Sequence, residues 1–257
     1  MLIGGSPCQS FSNAGNREGF DGKSGLFYEY VRLLKELKPK YFLLENVKMK
    51  KEWQDIISKE LGVEPININS SLVSAQLRNR FYWTNIPNVI KPQDKGILLK
   101  DILDNGFTDR SKSRAILESE SRPLVNKSNM LWRYISPGFT TIVWDSEKTY
   151  LRVKEATKKG YVDIESGEAV DLSYPTSKTR RGRAMRDKVH TIMKAKNEYY
   201  LFDGEDIRYF TQTELEKLQT LPVGYTKCLN RNKAAGCIGD GWKVYVIAHI
   251  LSFIKSC

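Results

Sequence analysis

The sequence predicts an α/β fold whose sheet is followed by a smaller, irregular region that also contains β-structure. Short apolar runs, typical of buried parallel strands, alternate with segments of helical periodicity over residues 1–86. From about residue 105 to residue 205 the chain becomes polar, basic and irregular, and helical periodicity then returns. Strands that alternate with helices indicate a sheet connected by crossover helices, so we expect residues 1–86 to supply that sheet.

The N-terminal elements can be placed in order from these patterns. Residues 1–5 predict a strand that runs directly into a Gly-Ser-Pro turn. Residues 24–38 carry apolar side chains on one helical face, and Pro39 lies just beyond the end of that helix. The apolar run 41–44 predicts a buried parallel strand. The remaining elements of this half are a helix over 50–61 that ends at Gly62 and strands over 63–68 and 80–86.

The C-terminal elements give weaker signals. Residues 140–144 predict a short β-like piece within the irregular region. Leu215, Leu218 and Leu221 belong to one short amphipathic stretch. Residues 242–254 are apolar and predict a C-terminal helix, or a strand leading into one.

Composition and charge limit the classes of function. Lys and Arg total 41 against 30 Asp and Glu, which gives a formal net charge of +11. This charge suits a polyanionic partner such as nucleic acid, although an ordinary basic protein has the same balance.

No apolar run approaches the ~20 residues of a membrane-spanning helix, and no signal peptide is present. We therefore expect an intracellular protein, cytoplasmic if bacterial or phage, with no membrane partner. The four cysteines are too scattered for a disulfide framework, and without a CxxC pair we expect no metal site.

The sharpest local feature is the segment Ser6-Pro7-Cys8-Gln9, directly after the first predicted strand. Ligands of open α/β sheets bind just beyond the carboxyl ends of strands. A cysteine there can act as a nucleophile when its thiolate is favoured, whereas a lone cysteine is more often a buried structural residue. The polar residues around Cys8 indicate a loop, which favours the functional interpretation.

Two further segments place charged residues at predicted strand ends. Glu45 directly follows the apolar run 41–44, and a carboxylate there is unfavourable unless it is partnered, used or solvated. We expect it on the same side of the sheet as Cys8. Arg78 and Arg80 point the same way in an extended chain, which suits a phosphate or a carbonyl oxygen, or only solvent.

Together these segments resemble the cytosine-5 DNA methyltransferase family. Pro7-Cys8-Gln9 is similar to the family's motif IV, Glu45-Asn46-Val47 to motif VI, and Gln76-x-Arg78-x-Arg80 to motif VIII. Towards the C terminus, residues 208–225 resemble motif IX and residues 239–244 resemble motif X. The likeness is greatest to the animal de novo-type enzymes and to related bacterial and phage enzymes, and the matching segments follow the family order.

The resemblance implies a covalent mechanism on a cytosine that is flipped out of double-stranded DNA. The Cys8 thiolate adds to carbon 6 of the base, and Glu45 holds the ring nitrogen and the exocyclic amine. Arg80 binds the base carbonyl, and Arg78 braces the loop or a phosphate. Carbon 5 then takes a methyl group from S-adenosylmethionine, a base removes its proton, and Cys8 is eliminated. The stretch 9–22 is expected to be the loop that closes over the cytosine.

The resemblance extends over motifs IV–X and does not include motifs I–III, which bind S-adenosylmethionine in this family. We therefore expect a partial Rossmann-like methyltransferase sheet whose N-terminal half is missing, and an incomplete cofactor site. The chain is then a subunit that takes motifs I–III from a second polypeptide, a truncated gene product, or the product of a misassigned start. By resemblance, the remaining cofactor contacts are Pro7, Leu26, Asp240, Gly241 and Trp242.

The resemblance also divides the chain into three parts. These are a catalytic domain over 1–105, an irregular, β-containing target recognition region over 106–205, and motifs IX–X over 206–257, which return to the catalytic domain. Residues 176–196 contain eight Lys or Arg and one Asp, typical of a surface that contacts DNA, or of a solvated basic loop. The predicted DNA-binding residues are Gln9, Ser12, Arg180, Arg181, Arg183 and Arg186.

Two other functions fit parts of this pattern. A catalytically inactive DNA-binding accessory protein would bind DNA without needing Cys8 or Glu45, and their joint presence with Arg80 argues against it. A tRNA cytosine-5 methyltransferase relative would use the same base flipping and attack. The Cys-Phe-Thr segment expected in that branch is absent from the recognition region.

Overall fold

The computed structural model describes residues 1–7, 10–11, 19–114, 127–135, 141–145, 147, 149–175, 177–186, 199–201, 206–208 and 210–254. The chain divides into two compact units. Unit 1 comprises Met1–Gly96 and Lys243–Cys257, and unit 2 comprises Ile97–Trp242. Within the described ranges, no helix combines the length and apolar character needed to cross a membrane. The three-part division at residues 105 and 205 stays a prediction.

Unit 1 is built on a four-stranded mixed sheet with the strand order β1-β2-β4-β3. The parallel pair β1 and β2 is connected through helix α1, whereas β4 runs antiparallel to both β2 and β3. Only a short 3-10 turn and a loop join β3 to β4, so the chain reverses there instead of crossing over. The elements are β1 (Leu2–Gly5), α1 (Phe27–Leu37), β2 (Phe42–Val47), α2 (Lys51–Leu61), β3 (Ile66–Asn69), β4 (Asn79–Thr84) and α6 (Val244–Leu251).

Alternate side chains of β2 enter two different apolar clusters. Phe42 and Leu44 pack with buried residues of α1 and α2, whereas Leu43 packs with Val246 and Ile250 of α6. Successive side chains of a strand point to opposite faces, so the sheet is covered by helices on both sides. This burial explains why the β2 sequence is continuously apolar before Glu45.

Most predicted elements of unit 1 are confirmed with small shifts. The strand at residues 1–5, the helix at 50–61 and the parallel strand at 41–44 are present as β1, α2 and β2. The helix predicted at 24–38 begins as the 3-10 turn Lys23–Leu26 and becomes α-helical at Phe27. The apolar C-terminal segment is a helix, so the alternative of a strand there is wrong.

Unit 2 combines short antiparallel sheets with three α-helices in its described part. The sheets have the orders β10-β8-β9, β11-β5 and β6-β7, and the buried side chains of Leu131, Trp144, Leu151, Ile164 and Val170 form one apolar cluster. Its helices and strands are α3 (Lys127–Ile135), β5 (Val143–Asp145), β6 (Tyr150–Lys154), β7 (Tyr161–Glu165), β8 (Ala169–Asp171), β9 (Ala184–Met185), β10 (Tyr199–Leu201), β11 (Asp206–Arg208), α4 (Gln212–Gln219) and α5 (Arg231–Asp240). The chain is therefore a mixed α/β protein, and its assignment as a partial Rossmann-like sheet with a recognition domain stays a prediction.

Candidate active site

Glu45 lies inside strand β2 and not beyond its end. The strand continues to Val47 because β1 and β4 flank it, and Glu45 is in register with Gly5 on one side and Tyr82 on the other. Glu45 is 9% exposed. The expectation that the strand ends at residue 44 is therefore wrong. The Glu45 carboxylate is also more buried than it would be at the first solvent-exposed position after a strand.

Arg80 is the ion-pair partner of Glu45. Its Nε atom lies 2.8 Å from Glu45 Oε1, and its Nη1 atom donates to the carbonyl of Asn79 at 2.9 Å. Both partners are largely buried, with 19% of the Arg80 side chain and 12% of the Glu45 side chain exposed. The strand pairing of β4 with β2 thus brings together the charged residues of two sequence motifs.

Burial raises the pKa of Glu45 above its usual value, although the charges of Arg80 and Arg78 and the hydrogen bond from Arg80 act in the opposite direction. Burial likewise raises the pKa of Tyr82, so its hydroxyl stays protonated beside Glu45. A ligand can keep a carboxyl group with a raised pKa protonated more readily than a solvent-exposed carboxyl group with the usual pKa. This property suits a group that shares a proton with the ring nitrogen of a base.

Arg78 lies just before β4, in a loop held by its own hydrogen bonds. The Asn69 side chain accepts from the amides of Arg78 (3.2 Å) and Ser71 (3.1 Å), and the Ser70 amide donates to the Arg78 carbonyl at 3.0 Å. Arg78 is itself buried. Its charge lowers the pKa of Glu45, so the structure brings Glu45, Arg78 and Arg80 into one electrostatic group.

Asn46 connects β2 to the segment that follows β1. Its Nδ2 atom donates to Ser6 Oγ at 2.9 Å and to the Ser6 carbonyl at 3.4 Å, and its Oδ1 atom accepts from the Val47 amide at 2.8 Å. Ser6 is two residues before Cys8. Asn46 therefore anchors the near end of the predicted nucleophile loop beside Glu45.

The far end of the same loop is anchored as well. The Ser10 amide donates to Ser24 Oγ at 3.1 Å, and the ring of Phe11, buried in the core, contacts those of Phe20 and Trp53. Cys8, the predicted nucleophile, and the predicted DNA contacts Gln9 and Ser12 lie outside the described residues. The same holds for most of the stretch 9–22 that is predicted to close over the base.

The predicted cofactor residues fall into two groups, one in each unit. In unit 1, Pro7 lies after the end of β1. Leu26 directly precedes α1, and 56% of its surface is exposed, so an apolar side chain is available to a ligand there. In unit 2, Gln219 Nε2 donates to the carbonyls of Gly241 (2.7 Å) and Trp242 (2.9 Å). These hydrogen bonds fix the backbone directly after α5, and Asp240, the last residue of that helix, is exposed. Cofactor binding by either group stays a prediction.

Two of the four predicted DNA-binding arginines point into unit 2. Arg180 forms an ion pair through Nε and Nη2 with Asp171, a carboxylate with no exposed surface. Arg183 is 1% exposed, and its guanidinium donates to the carbonyls of Asp171 (2.7 Å), Ser173 (3.1 Å) and Tyr174 (3.0 Å). These interactions favour a structural role for both residues.

The other two arginines are exposed. Arg181 donates from Nε to the Ala156 carbonyl at 2.7 Å. Arg186 pairs with Glu168 at 2.8 Å while 65% of its side chain stays exposed. DNA binding by any of the four stays a prediction, and the exposed pair is better placed for it.

The comparison with protein families identifies the chain. The profile of the C-5 cytosine-specific DNA methylases matches residues 1–256. The chain belongs to this family.

Several phage and bacterial methylases are similar to parts of the chain. The orphan methyltransferase M.Rho11sI of Bacillus phage rho11s is 35% identical over 121 residues, which are 41% of this chain and 24% of that protein. The orphan methyltransferase M.SPRI of Bacillus phage SPR is 61% identical over 49 residues, 19% of this chain and 11% of that protein. The type II methyltransferase M.FnuDI of Fusobacterium nucleatum is 58% identical over 48 residues, 18% and 14% of the two chains. The matched part therefore spans less than a quarter of each relative.

For this methylase chain, sequence reasoning missed the residues that hold the site in place. Asn46, Ser10 and Ser24 each anchor the loop around Cys8, and their roles were not predicted. The one signal that could have found Asn46 is its place between Glu45 and Val47 in the motif VI segment. These roles depend on hydrogen bonds between distant parts of the chain, which periodicity does not encode.

Proposed function

We propose that this protein is a DNA (cytosine-5) methyltransferase that attacks a flipped-out cytosine with the Cys8 thiolate. The observation that carries the proposal is the buried pair of Glu45 and Arg80, 2.8 Å apart, in a chain of this family. One edge of cytosine carries a carbonyl oxygen, a ring nitrogen and an amine. A protonated Glu45 can donate to the ring nitrogen and accept from the amine, while Arg80 donates to the carbonyl.

In the proposed mechanism, Cys8 Sγ forms a bond to carbon 6 of the base. The electron pair of the carbon 5–carbon 6 double bond moves towards the ring nitrogen, where the Glu45 proton neutralises the developing charge. Bound S-adenosylmethionine supplies the methyl group that carbon 5 receives. Loss of the carbon 5 proton to a base then restores the double bond and expels Cys8. Arg78 adds positive charge beside Glu45 and braces the loop before β4 or a phosphate.

For the methyl donor, we propose contacts from Pro7 and Leu26 and from Asp240, Gly241 and Trp242. Within the described residues, β1 pairs with β2 alone, so its other edge offers free backbone groups. We propose that a strand belonging to motifs I–III, in the same polypeptide or in a second one, pairs at that edge and completes the cofactor site. We propose double-stranded DNA as the substrate, and we propose that Arg181 and Arg186 bind its phosphates.

Adduct formation on a DNA duplex with 5-fluorocytosine at the target site tests the proposal, because the fluorine cannot leave as a proton does. The chain is incubated with this duplex and S-adenosylmethionine, with and without a polypeptide that carries motifs I–III. We expect a stable protein–DNA adduct with the wild type and none with Cys8→Ser. Cys237→Ser, which changes an exposed cysteine, is the matched control and should react like the wild type.

The other outcomes separate the alternatives. An adduct that persists in Cys8→Ser would overturn the assignment of the nucleophile. Tight DNA binding without any adduct, in both mixtures, would support a DNA-binding accessory protein instead. Faster reaction with a 5-fluorocytosine tRNA than with the duplex would assign the chain to RNA.

A further inference from the structure

Lys243 is a buried lysine that the proposed mechanism does not use. It directly precedes helix α6 and is 1% exposed. Its carbonyl accepts from the amides of Val246 (3.1 Å) and Ile247 (3.2 Å), so the first turn of α6 fixes its backbone. Burying an amine is unfavourable unless the group makes polar interactions, and an apolar residue of similar length would fill the space more favourably. The amine therefore calls for a specific explanation.

One partner of the Lys243 amine is Gln76. Lys243 Nζ lies 2.8 Å from Gln76 Oε1, and Gln76 has no exposed surface. This hydrogen bond orients the amide so that Gln76 Nε2 is buried without a hydrogen-bond partner. A buried amide nitrogen without a hydrogen-bond partner is unfavourable. The Gln76 side chain nevertheless keeps this orientation, because it lets Oε1 accept the hydrogen bond from Lys243.

Gln76 belongs to the loop that carries Arg78. The Gln76 carbonyl accepts from Ser70 Oγ at 2.8 Å, and its amide donates to Ser74 Oγ at 3.2 Å. The Ser70 amide in turn donates to the Arg78 carbonyl at 3.0 Å. A continuous set of hydrogen bonds thus leads from Lys243 to the backbone of Arg78, whose charge acts on Glu45.

The surroundings of Lys243 favour its uncharged form. Burial, and then the positive charge of Arg78, lower the pKa of Lys243 well below its usual range. An uncharged amine can still donate to an amide oxygen, and it adds no third cation to the group formed by Arg78, Arg80 and Glu45.

We infer that Lys243 is a positioning residue that, through Gln76, holds the 69–78 loop so that Arg78 stays beside Glu45. The inference rests on the proposed function where it concerns base binding, and on the structure alone where it concerns the loop. It connects the segment that resembles motif X with the segment that resembles motif VIII, which are far apart in the sequence.

The test uses Lys243→Met and Gln76→Met, which keep the length of each side chain and remove the hydrogen bond, together with the double variant. Lys217→Met is the matched control, because Lys217 also donates to a carbonyl, that of Ile102 at 3.1 Å, but belongs to unit 2. The first readout is hydrogen–deuterium exchange of peptides covering residues 69–80, which needs no activity. We expect each single variant to raise exchange there by about tenfold, the double variant to raise it no further, and the control to leave it unchanged.

The second readout separates positioning from a purely structural role. We expect the rate of adduct formation with the 5-fluorocytosine duplex to fall by about tenfold or more in both single variants, while DNA affinity stays within about twofold of the wild type. Unchanged exchange at 69–80, a uniform rise in exchange throughout unit 1, or additive effects in the double variant would each overturn the inference. If the wild type itself forms no adduct, the proposed function fails while the exchange measurement still decides the role of Lys243. If Lys243→Met does not fold, Gln76→Met tests the same bond.

Discussion

At the scale of single residues, Glu45 shows how the burial of a carboxylate affects stability. Its position between β1 and β4 removes it from water, and the pair with Arg80 does not fully offset that loss because burial still raises its pKa. The folded protein therefore holds a proton on Glu45 more tightly than the unfolded chain does. Glu45 therefore contributes less to the stability of the fold when it is ionised than when it is protonated.

The first prediction concerns Glu45→Gln, which keeps the shape and removes the charge. The usual pKa of 4.5 applies in the unfolded chain, and the folded value is higher. As pH rises from below the unfolded value through the folded one, the free energy of unfolding of the wild type should fall relative to that of Glu45→Gln. Urea unfolding of both proteins from pH 4 to pH 8 measures this difference. A difference that stays constant, or that grows in favour of the wild type as pH rises, would contradict the prediction.

At the scale of elements, close packing of α1 against β1 depends on Gly4. A Cβ atom at Gly4 would lie 2.8 Å from two ring carbons of Tyr30, a residue that is itself buried on α1. The Tyr30 hydroxyl donates to the Leu2 carbonyl at 3.4 Å, so the ring cannot move away without weakening a hydrogen bond to the same strand. The strand that leads to Cys8 therefore lies against its crossover helix only because residue 4 has no side chain.

The second prediction is that Gly4→Ala lowers the free energy of unfolding by about 1–3 kcal/mol, because the Tyr30 ring must shift. Ile3→Val, on the exposed side of the same strand, is the control and should change it by no more than about 0.5 kcal/mol. Urea unfolding gives both values. Equal effects of the two substitutions would show that α1 can move away from β1 freely.

The arginines of the loop between β8 and β9 differ in burial and therefore in the role that we assign to them. Arg180 and Arg183 hold the loop through a buried carboxylate and through backbone carbonyls, whereas Arg181 is exposed. The basic composition of residues 176–196, together with the family resemblance, predicted that all of these arginines contact DNA. Burial distinguishes them, and it depends on the fold of unit 2.

The third prediction follows from that division. Arg180→Ala should destabilise the protein by about 3–5 kcal/mol, because it leaves Asp171 buried without its cationic partner. Arg181→Ala, in the same loop, should change stability by no more than about 0.5 kcal/mol. Thermal or urea unfolding of the two variants decides the matter, and a larger effect from Arg181→Ala would reverse the roles assigned to the two residues.

At the scale of the whole molecule, the net charge of +11 makes any binding to DNA dependent on salt. Each phosphate that the protein neutralises releases counterions, so the slope of log affinity against log salt reports how many phosphates are bound. Only cationic side chains that are exposed can contribute to that slope, and among the four predicted arginines the two exposed ones are Arg181 and Arg186. Arg181 and Arg186 therefore carry this part of the proposal.

The fourth prediction is that the double variant Arg181→Ala with Arg186→Ala lowers the magnitude of the salt slope by about two, because two phosphates are no longer neutralised. Arg32→Ala removes an exposed arginine of α1 and is the control, for which we expect the wild-type slope. Fluorescence anisotropy with a labelled duplex at several salt concentrations gives the slopes. A slope unaffected by the double substitution would remove both residues from the DNA-binding surface.

The sequence allowed the order of β1, α1, β2 and α2 to be predicted, because burial on both faces of a sheet leaves a continuous apolar signal in β2. It did not reveal that β4 runs antiparallel to β2, since direction depends on the short connection after β3. The charged residues Glu45, Arg78 and Arg80 could be chosen from motifs. Local sequence patterns do not predict that these three residues form one group. They also do not predict the hydrogen bonds of Asn46 and Lys243, because both depend on residues that are far apart in the sequence and meet only in the folded chain.

The inward-facing arginines of the β8–β9 loop also have an evolutionary consequence. Because Arg180 and Arg183 fix the backbone of the loop from within, the exposed positions Lys178, Thr179 and Arg181 can change without loss of the fold. Mutational tolerance and structural constraint are thus divided between neighbouring residues of one short segment. Under the proposed DNA contact of this loop, such a division would let a lineage explore new target sequences by single substitutions, and a combinatorial library confined to these three positions would sample that diversity on an intact scaffold.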